Sequence, residues 1–246
     1  MIEISLKAEE VFHWGGFLVT NSFLLTIFAS SILIILGYLF QKRLLIIPNK
    51  LQNFLEFVLE GFLGLMDSVF HSREKSEKYL PLIATLFLLI IISNWLGLLP
   101  GVGSIGFQGI HEGREVFIPL FRAPTADLNF TLALAIAAVV AVNLVGVGAL
   151  GFKKYFHKFF TLENPIKTFT GILEFLSEIT KMISFSFRLF GNIFAGEVLL
   201  LIVGSLVPYF IPLPFLFLEI FVGFIQAFVF SMLTIVFISI ATQEEH

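Results

Sequence analysis

Long runs without a formal charge are the feature of this sequence that most restricts its fold. Between Glu10 and Lys42 no residue carries a formal charge, and residues 17–40 form the apolar part of that gap. A helix of about 20 apolar residues can cross roughly 30 Å of hydrocarbon. Four further stretches exceed this length, and they cover residues 79–100, 125–151, 171–206 and 209–240. The sequence therefore predicts five membrane spans.

The composition supports this interpretation and excludes other protein classes. Of the 246 residues 57% are apolar and 13% are charged, and the mean hydropathy is +0.96. A soluble domain has about 25% charged residues, and a disordered chain has low hydrophobicity and high charge. Because lipid cannot satisfy backbone donors and acceptors, and because the apolar runs are continuous rather than alternating, the spans are predicted to be helices. We expect residues 1–246 to form a single, all-helical membrane domain.

Several binding chemistries find no support in the sequence. Cysteine is absent, which excludes disulfides, thiolate metal sites and thiol catalysis, and the net charge of -3 gives no basic surface for nucleic acid. Gly101, Gly103 and Gly106 spell G-x-G-x-x-G, but a membrane span precedes them and PGVGSIGFQG is expected to continue as a loop, so no nucleotide site is predicted. The histidines show no ligand spacing, and no metal or cofactor is implied; they occupy positions 13, 71, 111, 157 and 246.

The basic residues predict the orientation, since Lys and Arg are concentrated on the cytoplasmic side of membrane proteins. The acidic start MIEISLKAEE does not resemble a signal peptide, so we expect the first span to remain in the mature chain. The N-terminus is predicted to lie outside and the C-terminal QEEH in the cytoplasm. Ten basic residues then lie on the cytoplasmic side, namely Lys42, Arg43, Lys50, Arg73, Lys75, Lys78, Lys153, Lys154, Lys158 and Lys167. Three lie outside, namely Lys7, Arg114 and Arg122.

Residues 49–71 predict an amphipathic helix of a different kind. Glu56, Glu60 and Asp67 fall within about 40° of one another on a helix, and apolar residues occupy most of the remaining circumference. Such a helix can lie in the interface or in the membrane plane against other helices. The alternative is a short solvated connector.

A polar stripe runs through the fourth span and is centred on Arg188. On a helix, five polar residues fall within about 40° of this arginine. They are Glu174, Ser177, Lys181, Ser184 and Asn192. The stripe covers about 27 Å of helix rise, which is close to a full membrane thickness. Glu197 points to the opposite face.

Burying this arginine is costly, because insertion at the bilayer centre costs at least about 2.5–3.5 kcal/mol and arginine does not deprotonate. An interhelical salt bridge would explain it structurally, and an ion pathway would explain it functionally. The last span favours the pathway, since Glu219, Gly223 and Gln226 share one face. Glu197 and Glu219 are predicted to lie in the outer half of neighbouring helices, where buried carboxyl groups can exchange protons.

The residues just described resemble subunit a of the F-type ATP synthases, in its bacterial form. The most specific match is SFSFRLFGNIFAGEVLLLI, at residues 184–202, in which R-L-F-G-N is followed by A-G-E. The resemblance covers nearly the whole chain after about residue 20. Further matching segments are IPNKLQNFLEFVLEGF, SNWLGLLPG, PTADLNFTLALA and IQAFVFSMLTIVFISIATQEEH.

The resemblance implies a stator subunit that faces a rotating ring of c subunits, with two offset half-channels joined only through the ring. Arg188 matches the arginine that faces the ring carboxylates and separates the half-channels. Residues matching the outer half-channel are Asn192, Glu197, Glu219 and Gln226. Residues matching positions nearer the cytoplasmic half-channel are Glu174, Ser177 and Ser184.

The implied partners are the c-ring, the peripheral stalk subunit b, other ATP synthase subunits and membrane lipid. The implied location is the bacterial plasma membrane. With no phosphate loop and no nucleophile beside a base, the chain is expected to be part of an ion-translocating rotary complex without catalysing ATP chemistry itself. Glu219 departs from some members that have histidine there, and the resemblance gives no role to Lys181.

Two other classes of membrane protein are alternatives. A secondary transporter or simple ion channel could contain an intramembrane arginine, but transporters tend to have internal repeats, and the Arg188 segment has no second copy. A purely structural scaffold would leave the polar stripe unexplained.

Overall fold

The structure, a computed structural model, describes residues 7–42, 45, 48–111, 114–157, 159, 165–207 and 210–243. Arg43, Lys158 and residues 244–246 lie outside this part of the chain. The described helices are α1 (Asn21–Lys42), α2 (Lys50–Phe70), α3 (Arg73–Gly97), α4 (Leu128–Leu150), α5 (Phe152–His157), α6 (Pro165–Leu206) and α7 (Pro212–Thr242). Five of them, all except α2 and α5, are long and apolar enough to cross a membrane. The predicted all-α class of membrane fold is confirmed, and the short strands described below lie before α1 and between α3 and α4.

The first spanning helix begins later than residue 17, where the predicted span starts. Strands β1 (Glu10–Trp14) and β2 (Phe17–Thr20) form an antiparallel hairpin immediately before α1. Gly15 and Gly16 form its turn with φ values of 55° and 93°, which glycine adopts without steric cost. The hairpin therefore takes up the first four residues of that apolar run.

α6 and α7 are the two longest described helices. α7 begins at Pro212, and proline suits the start of a helix because its missing N–H has no partner there anyway. The 42 residues of α6 would extend about 63 Å, roughly twice the hydrocarbon thickness. One end of α6 therefore projects beyond the hydrocarbon unless the helix is strongly tilted.

The segment after α3 is not the loop that the sequence suggested. Pro100–Gly103 forms strand β3, and β4 (Gly106–His111) pairs antiparallel with β5 (Arg114–Pro119). The expectation that PGVGSIGFQG continues as a loop was wrong. Gly106 lies so close to the backbone of Ile118 that a Cβ would collide with it, so this glycine permits close strand pairing.

The core lies where α3, α4, α6 and α7 pack against one another. Phe185 of α6 packs on Phe230 of α7 with ring centroids 4.6 Å apart, and Ser186 exchanges a 3.1 Å hydrogen bond with Thr131 of α4. Fully buried aliphatic side chains fill the rest of this interface, among them Ile83, Ile90, Ala135, Leu189, Ile235 and Ile238. These contacts determine which side of α6 faces inward.

Helix α2 is amphipathic, as its sequence predicted. Phe62 and Met66 are buried, and the ring of Phe62 lies 4.7 Å from that of Phe87 in α3. Arg73, at the start of α3, binds Asp67 at 3.0 Å, and hydrogen bonds from Ser76 and Arg73 lower the pKa of that carboxyl. The acidic stripe thus helps to join α2 to α3.

Candidate functional site

The stripe on α6 forms part of the surface of the described chain. Arg188, Ser184 and Asn192 are exposed, while the adjoining Phe185 and Leu189 are buried against α4 and α7. Further toward the start of the helix, Ser177 is exposed and Glu174 is half-buried. The helix therefore packs through one side and presents its polar side outward.

Arg188 has no salt bridge or hydrogen bond to any of the residues that the structure describes. The interhelical salt bridge within this chain, the structural alternative for this arginine, is not formed among them. A guanidinium facing lipid would be costly. An acidic partner supplied by another polypeptide would remove that cost.

The far end of α6 carries a different arrangement, centred on Glu197. Its Oε2 lies 3.6 Å from Nε of Arg122, whose side chain is only 8% exposed. Nη1 of Arg122 donates a 3.0 Å hydrogen bond to the carbonyl of Lys7, and the guanidinium lies 5.9 Å from the ring centroid of Phe194. The sequence placed Arg122 only among the outer basic residues. Its contact with Glu197, which joins residues 75 positions apart, was not predicted.

Glu219 of α7 lies against the same part of α6. Its side chain is 5% exposed, and Gly196 lies so close that a Cβ there would collide with the carboxylate. One turn further along α7, the carbonyl of Gly223 accepts a 2.8 Å hydrogen bond from Nδ2 of the buried Asn94 in α3. The two carboxylates thus occupy neighbouring helices at one end of the bundle, as the sequence predicted.

A cavity of about 850 Å³ brings these groups together. It lies between α3, α6, α7 and the β3–β4 segment. Its polar lining includes Glu9, Asn94, Ser104, Arg122, Glu197 and Glu219. Since a water molecule occupies about 30 Å³, this volume is large enough for a chain of waters to reach both carboxylates.

Asn192 and Gln226, which the sequence grouped with Glu197 and Glu219, are not part of the cavity lining. Asn192 is exposed on the face of Arg188, and Gln226 is half-buried on α7. Nine residues separate Glu197 from Arg188, which is about 13.5 Å of helix rise. The cavity and the exposed arginine are therefore distinct regions, and Asn192 lies between them along α6.

Comparison with known proteins agrees with this architecture. The family model described as ATP synthase A chain matches residues 23–239. The chain is 37% identical over 217 residues to the ATP synthase subunit a of Campylobacter jejuni subsp. doylei, covering 87% of this chain and 86% of the relative. It is 32% identical to the subunit a of Campylobacter fetus subsp. fetus over 248 aligned positions, which cover the full length of both chains. It is also 32% identical to that of Moorella thermoacetica over 234 residues, covering 95% and 96% of the two chains. The match of the family model and the extent of these alignments show that the chain belongs to the ATP synthase A chain family.

Proposed function

We propose that this chain is the proton-translocating stator subunit of an F-type ATP synthase membrane sector. The observation that carries the proposal is the exposed Arg188 on a polar face of α6, with no partner among the described residues. A ring of c subunits with membrane carboxylates would supply the missing anion. In this arrangement Arg188 favours the ionised form of each passing ring carboxylate.

The outer half-channel begins in the cavity. Protons enter through water, reach Glu197 and Glu219, and pass toward the ring along Gln226 and Asn192. The buried Arg122 holds the carboxylate of Glu197 in place. A proton-accepting carboxyl group reached by water and screened from lipid suits this role.

The cytoplasmic half-channel follows Glu174, Ser177 and Ser184 on the other side of Arg188. Because the arginine does not deprotonate, its charge repels protons and prevents a direct leak between the half-channels. One charge that crosses 100 mV gains about 2.3 kcal/mol, so several must cross for each ATP. A rotating ring would add up the energy of these single-proton steps. The peripheral stalk subunit b would keep this chain from rotating with the ring.

Arg188→Ala tests the proposal. In inverted membrane vesicles, ATP-driven proton pumping should be lost while the complex still assembles, as shown by its subunit content after purification. Arg188→Lys keeps a basic residue and should also fail, because a lysine enclosed in the membrane between this chain and the ring can lose its proton and become neutral, whereas arginine cannot. Coupled pumping at the normal rate in Arg188→Ala would contradict the mechanism.

A further inference from the structure

A second polar network lies on the opposite side of Arg188 from the cavity. The carboxylate of Glu178 accepts a 2.6 Å hydrogen bond from Nζ of Lys181 through Oε1 and a 3.3 Å hydrogen bond from Nδ2 of Asn143 through Oε2. The hydroxyl of Tyr155 donates a 2.6 Å hydrogen bond to Oδ1 of the same asparagine. These four residues, the Glu178 cluster, connect α4, α5 and α6.

The cluster is packed among apolar groups. Tyr155 is 5% exposed, and the side chains of Glu178 and Lys181 are 15% and 22% exposed. Burial and the charge of Glu178 raise the pKa of Tyr155 to about 12, so its hydroxyl remains a donor at neutral pH. Nζ of Lys181 also lies 4.7 Å from the ring centroid of Phe237 in α7. Glu178 is therefore held firmly beside the lysine.

The position of Lys181 on α6 explains why such a partner matters. It precedes Arg188 by seven residues, which places it within about 20° of the arginine and about 10.5 Å away along the axis. A ring carboxylate moving past this face would meet a second cation if Lys181 were not neutralised. That cation would hold the carboxylate ionised where it must also exchange protons.

We infer that Glu178 is a positioning residue that turns Lys181 inward and neutralises it, so that Arg188 alone sets the ionisation of the passing ring carboxylates. This inference rests on the proposed function of the chain. Both oxygens of Glu178 already accept hydrogen bonds from protein donors, which suits charge compensation better than proton transfer. The long side chain of Lys181 is held by Glu178 and Phe237 on the side away from the ring.

The test is a double-mutant cycle in the assembled complex. In the wild-type background, Glu178→Gln should slow ATP-driven proton pumping by about tenfold, since a unit charge about 10 Å from the ring carboxylate has an effect of this order at an effective dielectric constant of about 20. In the Lys181→Gln background, the same substitution should change the rate by less than about twofold, because no cation is left to neutralise. Rates are expressed per assembled complex. Glu174→Gln is not used as a control, because Glu174 lies on the proposed pathway.

Two further variants separate the alternatives. Glu178→Asp keeps the charge and should pump close to normally, and the exposed Glu74→Gln on α3 controls for loss of a carboxylate elsewhere. If Glu178→Gln is equally slow in both backgrounds, Glu178 acts by itself as a relay or a structural contact and the inference is wrong. A normal rate in Glu178→Gln also overturns it. Normal pumping in Arg188→Ala would instead overturn the proposed function, so the two failures are distinguishable.

Discussion

Glu197 and Glu219, the two carboxylates of the proposed outer pathway, have different surroundings. Glu197 lies beside the guanidinium of Arg122, whereas Glu219 lies against the backbone of Gly196. Both line the same cavity. A cation fixed beside one carboxylate orients it, and the close backbone contact limits the conformations of the other.

Replacing either carboxylate by its amide should slow proton movement without changing side-chain volume. We expect Glu197→Gln and Glu219→Gln each to reduce passive proton flux through the membrane sector by about tenfold or more, because an amide cannot take up and release a proton at these positions. Flux is measured in vesicles from which the catalytic sector has been stripped. Glu74→Gln, on an exposed turn far from the cavity, is the control and should leave the flux unchanged. Unchanged flux in both pathway variants would remove the two residues from the route.

At the scale of elements, the contact between α6 and α7 depends on a residue without a side chain. A Cβ at Gly196 would overlap the Glu219 carboxylate, so the helices approach closely there. Elsewhere on α6, Gly204 has no atom within 4 Å of a Cβ. We therefore expect an alanine substitution to have opposite effects at these two positions of α6.

Gly196→Ala should lower both stability and flux. The added methyl group must displace Glu219 or separate the helices, and overpacking of this kind typically costs about 1–3 kcal/mol. Gly204→Ala should be neutral or stabilising by up to about 1 kcal/mol, since alanine favours a helix over glycine. Thermal unfolding of the detergent-solubilised complex and flux in vesicles measure the two effects. If the two variants have the same thermal stability and the same flux, the close contact at Gly196 is not required for folding or for proton movement.

The elements also show which features a sequence can predict. Apolar runs revealed the five spanning helices, and helical periodicity placed Arg188, Ser184 and Asn192 on one exposed face. Periodicity relates residues within one helix only, so it could not pair Glu197 with Arg122 or Glu178 with Asn143. The β4–β5 hairpin was missed because its glycine-rich sequence resembles a loop. Gly106 is required because the backbone of the partner strand leaves no room for a side chain, and the sequence of one strand does not show this.

The two ends of the whole molecule have different characters. One end carries the two hairpins, the cavity and the hydrogen bond between Ser22 of α1 and Asp127 at the start of α4. At the other end, Tyr155 of α5 packs beside Gly146. Lys75 at the start of α3 and Lys154 in α5, which the sequence assigned to the cytoplasm, belong to this second end. Because Lys and Arg are concentrated on the cytoplasmic side of membrane proteins, we expect the cavity to lie outside.

Labelling of single cysteines tests this orientation directly, because the natural chain contains no cysteine. Ser104→Cys, which is exposed beside the cavity, should react in intact cells with a maleimide that cannot cross the membrane. Lys75→Cys, exposed at the start of α3, should react only in inverted vesicles. The reverse pattern would place the cavity on the cytoplasmic side. Glu197 and Glu219 would then belong to the inner half-channel, and the Glu178 cluster to the outer one.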